Sequence, residues 1–129
     1  MTQSYRTPLG RARGLGSAKH GVAHWVQERV TAVALVPLVL WGVYWAVMIA
    51  AAHSRAFALD WLRDPVNAVL LTLLVAIGYF HMHGGMRVVV EDYIERHVTK
   101  AALLILSLFV CGLGGALAVF SIFKVALGA

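Results

Sequence analysis

Positions free of Asp, Glu, Lys and Arg gather into three runs, Val30–Ser54, Pro65–Met86 and Ala101–Phe123, of 25, 22 and 23 residues. A bilayer core of about 30 Å is crossed by about 20 helical residues. Each run is long enough for one crossing and none for two. Lipid offers no water to backbone N–H and C=O groups, so each run is expected to be a helix. The pattern therefore predicts an all-α membrane protein with three transmembrane helices, over about 24–53, 65–96 and 100–127. A chain of 129 residues has too little left over to cover three such helices inside a soluble fold. One domain spans 1–129, with 1–23 as a segment outside the membrane.

Local punctuation refines these elements. Pro65 suits the first turn of the second helix, with Asp64 or Asp60 at its cap. His53–Asp64 reads as a loop. Pro37 falls inside the first helix, where a membrane neighbour can accommodate a bend. Gly112, Gly114, Gly115 and Ala116 give the third helix a small-residue surface that another helix could approach closely, which suits a partner chain. Gly10, Gly14, Gly16 and Gly21 argue against one regular helix before the first span. That segment and the apolar run after it are both too long for a signal peptide, so no cleavage is expected. Trp25, Trp41, Tyr44, Trp45 and Trp61 read as interface anchors.

Composition supports the membrane assignment. Hydrophobic residues make up 60% and charged residues 13%, against about 45–50% and about 25% in soluble domains. A soluble globular domain and a disordered chain are both excluded. The single Cys111 rules out an intramolecular disulfide and any thiolate metal cage. The net charge of +5 lies in the gaps between apolar runs, which points to a membrane and away from nucleic acid. Arg6, Arg11, Arg13, Lys19 and Arg29 precede or open the first span, and Arg87, Arg96 and Lys100 follow the second. Arg55, Arg63 and Lys124 fall on the opposite side. Eight basic residues against three place the N-terminus in the cytoplasm (or matrix) and the C-terminus outside.

The candidate chemistry centres on His81. It lies within an apolar run, six residues before Arg87, which is about 9 Å along a helix. An ionisable residue at that depth is a functional hypothesis by default. Gly78 and Gly85 share its helical face, leaving a recess for a planar ligand such as haem with its iron at the imidazole. A helix–helix hydrogen bond is the competing reading, and glycine flanks suit close packing as well. His83 points away from His81 and reads as structural or interfacial. Asp92 and Tyr93 lie beyond the membrane edge. A phenol beside a carboxylate suits a carbonyl acceptor, although spacing alone favours an interface anchor and a solvated charge. Glu91, Glu95, Arg96 and His97 carry no assigned role.

A family resemblance rests on the three short membrane helices and on three segments: Gly14 to Trp25, Gln27 to Val33 and above all His81 through Tyr93. In the last, Gly85-Met86 follow the histidine by four and five residues and Asp92-Tyr93 by eleven and twelve. The chain resembles the hydrophobic membrane anchor subunits of succinate dehydrogenase (respiratory complex II), of the bacterial type related to the mitochondrial one. The resemblance implies that His81 ligates haem b, with the second axial histidine supplied by the cytochrome b anchor subunit. It implies that Tyr93 donates to a ubiquinone carbonyl with Asp92 beside it, and that Arg29 and His24 lie near the haem propionates and quinone pocket. It implies packing against that second anchor subunit, docking of the flavoprotein and iron–sulfur subunits, and a place in the cell inner membrane. The chain would be part of an enzyme without being a catalyst itself. Two further readings stay open: a purely structural, haem-free anchor, and a small three-helix transport or assembly protein. The latter lacks the internal repeat or charged span residue usual in transporters.

Overall fold

A computed structural model describes residues 7–13 and 21–128. Arg6 and the glycine-rich stretch 14–20, with Ser17, Lys19 and His20, lie outside the described residues. The chain forms α1 (Pro8–Ala12), α2 (Gly21–Ala52), α3 (Arg55–Arg63), α4 (Pro65–Tyr93) and α5 (His97–Ala126), with no strand among the described residues. Three of these, α2, α4 and α5, are long and apolar enough to cross a membrane, as the three charge-free runs predict. They have 32, 29 and 30 residues and so outrun the charge-free stretches. Most of the surplus falls at one end of the molecule, where α2 begins with His24, Glu28 and Arg29, α4 ends through Arg87, Glu91 and Asp92, and α5 starts near Lys100. Helix α2 runs through Pro37 without interruption.

The start of α4 follows from sequence chemistry. Asp64 accepts at one carboxylate oxygen from the backbone N–H of Val66 and Asn67, at 3.0 and 3.1 Å. Pro65 takes the first helical position, where its missing N–H costs nothing. The segment read as a loop, His53–Asp64, instead contains α3. His53 ends α2 with a positive φ of 49°, and its ring Nδ1–H donates to Ala51 O at 2.8 Å. Ser54 then caps α3, accepting from Phe57 N at 3.3 Å. Nine residues with charges among them fall below any span-length criterion. Phe57, Trp61 and Leu62 nevertheless lie at helical spacing and give α3 an apolar side.

Residue pairs set the packing. Gly42 meets Leu74, Thr31 meets His81 and Glu28 meets Gly84, so α2 and α4 are antiparallel. Gly114 and Gly115 meet Tyr79, His83 meets Ser107, and Lys100 meets Glu91, so α4 and α5 are antiparallel too. Among the described residues α2 and α5 do not touch each other, while α3 touches all three long helices. Helix α4 is thus the middle of a layer and not one side of a closed bundle. Small residues fill the seams: Ala68, Gly84, Ser107 and Cys111 are buried, with Ile122 the one large side chain among them.

Candidate functional site

The α2–α4 seam brings His81 against two polar residues of α2. His24, Glu28 and Thr31, at spacings of four and three, share one face of that helix. The Thr31 hydroxyl lies 2.9 Å from Gln27 O and 3.1 Å from Glu28 O and donates to these backbone carbonyls. The same hydroxyl is 2.8 Å from His81 Nδ1. Glu28 Oε2 lies 3.6 Å from that nitrogen, on a side chain only 19% exposed. Gly84, one turn along α4 from His81, admits the acid, because a Cβ there would collide with the Glu28 carboxylate.

The rest of the His81 face is open. A Cβ added at Gly78 or at Gly85 would meet nothing within 4 Å. A groove of about 390 Å³ runs beside the ring, lined by Ala32, Leu35, Val36, Val39 and Leu40 of α2 together with His81. A separate hollow of about 250 Å³ is lined by Gly78 with Leu74, Val75, Tyr79 and Met82. One ring nitrogen of His81 makes the helix–helix hydrogen bond, and the ring borders the groove against α2. Nε2 has no hydrogen-bond partner among the described residues. An imidazole so placed can give one nitrogen to a metal held mainly by other groups. No set of three or more His, Cys, Asp or Glu side chains among the described residues could hold a metal ion by itself.

His83 serves the other seam, as its angular offset suggests. Ser107 Oγ donates to Met86 Sδ at 3.8 Å and lies 3.3 Å from His83 Nδ1. The small-residue surface of α5 is also used within the chain. A Cβ at Gly114 would come within 2.9 Å of the Tyr79 ring, and one at Gly115 within 3.4 Å of Tyr79 Cβ. The close helix approach expected at these small residues is made, at these two glycines, by α4 of the same chain.

Asp92 and Tyr93 end α4, both exposed, with Tyr93 80% accessible. Twelve residues separate Tyr93 from His81, about 18 Å of helix, so the structure keeps these two candidates apart. Between them Arg87 Nε donates to Glu91 Oε1 at 2.7 Å, and Lys100 Nζ donates to Glu91 O at 2.8 Å, tying the start of α5 to the end of α4. Arg29 is exposed and holds its guanidinium 5.5 Å from the centre of the Trp25 ring. His24 is half-buried, with Nε2 buried and without a hydrogen-bond partner among the described residues. Three of the expected interface anchors also pack on one another, with Trp61 of α3 5.7 Å from Trp41 and 5.6 Å from Trp45 between ring centroids.

Sequence reasoning passed over Thr31 and Glu28 as site residues. Their signal was present in the shared face with His24, but which face of α2 meets His81 is a property of the seam.

A protein-family model described as succinate dehydrogenase/fumarate reductase transmembrane subunit matches residues 3–121. Proteins named succinate dehydrogenase hydrophobic membrane anchor subunit are similar to the chain. The one from Rickettsia conorii is 33% identical over 86% of this chain and 88% of its own length. That from Rickettsia bellii is 36% identical over 81% and 83%, and that from Paracoccus denitrificans 33% identical over 97% and 95%. No solved structure matches. The chain is a multi-pass inner-membrane protein and belongs to the succinate dehydrogenase/fumarate reductase transmembrane subunit family.

Proposed function

We propose that this chain is the anchor that binds haem b jointly with a cytochrome b subunit and helps form the ubiquinone-reduction site of a succinate:ubiquinone oxidoreductase. The observation that carries the reading is His81 beside the open positions at Gly78 and Gly85. A ring nitrogen without a partner, next to space a side chain would otherwise fill, fits an axial ligand to a planar group. Haem b, when bound, supplies a one-electron carrier there. His81 would hold the group together with a histidine of the partner anchor. The glycines leave room for its plane, and Arg29 offers a cation for the propionates. Tyr93 donates its phenolic proton in a hydrogen bond to a quinone carbonyl, with Asp92 beside it to orient that phenol. Electrons arrive from succinate through flavoprotein and iron–sulfur subunits docked at the cytoplasmic end, where the polar extensions of α2 and α4 converge. This chain contributes binding and orientation rather than the chemistry of succinate oxidation.

The intact detergent-purified complex tests this directly. A bis-histidine haem spectrum is expected and should vanish in His81→Ala; an unchanged spectrum removes His81 as the ligand. The second reading, a haem-free structural anchor, is favoured by the Thr31–His81 hydrogen bond. It requires purified complex with flavin and iron–sulfur centres and no haem absorption.

A further inference from the structure

We propose that Thr31, backed by Glu28, is a positioning residue for His81: it accepts from Nδ1–H and so directs the Nε2 lone pair at the metal. This inference deepens the haem reading and rests on it.

The argument starts from one proton. A threonine hydroxyl has a single O–H, and the Thr31 oxygen lies within bonding distance of two backbone carbonyls of its own helix, Gln27 O and Glu28 O. Carbonyl oxygens only accept, and two of them compete for the proton against one ring nitrogen. With the proton on a carbonyl, the hydroxyl oxygen is left as the acceptor towards His81, 2.8 Å away, and Nδ1 carries the hydrogen. In neutral imidazole one nitrogen donates and the other accepts. Nε2 is then the nitrogen with the free pair. The Glu28 carboxylate, 3.6 Å from Nδ1, favours the same tautomer by its charge. Gly84 keeps it there, since any larger residue would displace it. Threonine suits the post because its β-branched side chain is stiff in a helix, so the acceptor stays fixed relative to α2.

A partner on the second nitrogen of a metal-bound histidine fixes its tautomer and raises its basicity. A more basic ligand favours the more highly charged metal. Loss of the acceptor should therefore shift the reduction potential of the bound haem to more positive values.

The test uses the whole complex carrying Thr31→Val, Thr31→Ser or Glu28→Gln, with three readouts. These are the haem midpoint potential, the electron paramagnetic resonance g values of the oxidised haem, and nitrogen-15 histidine spectra of the reduced, diamagnetic complex, with the His81 signal identified by its loss in His81→Ala. Thr31→Val is expected to retain assembly, shift the potential upward and change the g values. Thr31→Ser should restore both, and Glu28→Gln should shift the potential less than Thr31→Val. A valine variant with parental potential and g values overturns the proposal. If that variant fails to assemble, the parental nitrogen spectrum decides, and a hydrogen on the Nε2 of His81, if found there, overturns it. If the haem spectrum survives His81→Ala, the reading of His81 as the haem ligand falls. The nitrogen spectra, run on complex that then has His81 unligated, still decide whether Thr31 sets the tautomer.

Discussion

His81 and Tyr93 occupy one helix but face different environments, and each carries its own prediction. Tyr93 is exposed at the end of α4, so removing its hydroxyl leaves packing almost unchanged. Tyr93→Phe is expected to lower quinone reduction about five- to tenfold, the worth of one hydrogen bond, with normal assembly. Equal rates in variant and parent would count against the donor role. Gly85 is tested by the opposite move. A leucine would enter space that is open in the structure, so Gly85→Leu should fold and assemble yet hold much less haem. Full haem content would sink the recess argument. The spacing of Gly78, His81 and Gly85 was readable from the sequence because it depends only on helix periodicity. Thr31 was not, because a lone threonine in an apolar run has no distinguishing pattern until its neighbour is known.

Among the elements, α4 is the best specified by sequence. Asp64 and Pro65 write its start, and two backbone N–H groups are satisfied by one carboxylate. Asp64→Ala should destabilise the protein by about 1 kcal/mol, seen as a lower midpoint in thermal unfolding of the purified complex; an unaltered midpoint would show that the cap contributes nothing. Helix α3 was hidden from span-length reasoning. It packs against all three long helices, with Trp61 beside Trp41 and Trp45, contacts between residues far apart in sequence. The glycines of α5 show the same limit from the other direction. Their smallness announced a close approach, but the approaching residue, Tyr79, could be identified only once α4 and α5 were seen side by side.

As a whole molecule the chain is a subunit of an enzyme complex associated with other subunits and with a membrane. Its three long helices form a layer with α4 in the middle, and large apolar side chains such as Leu106, Phe109, Leu117 and Phe120 remain exposed. Such a surface is stable against lipid tails or another apolar protein and not against water. The asymmetry of basic residues predicts which way the layer stands in the membrane. A tag on the N-terminus should resist protease added to spheroplasts, while one on the C-terminus should be cut; the reverse pattern would invert the assigned topology.

Sequence alone determined the three spans, their class and the end of α4 that holds the candidate chemistry. Those features follow from solvation of the backbone, from charge and from helical periodicity, all of which act locally along the chain. Tertiary structure decided which faces meet. It put Glu28 and Thr31 against His81, gave the α5 glycines to Tyr79, and left α2 and α5 apart. Such choices depend on how side chains from distant segments fit one another in three dimensions, and no local pattern records that.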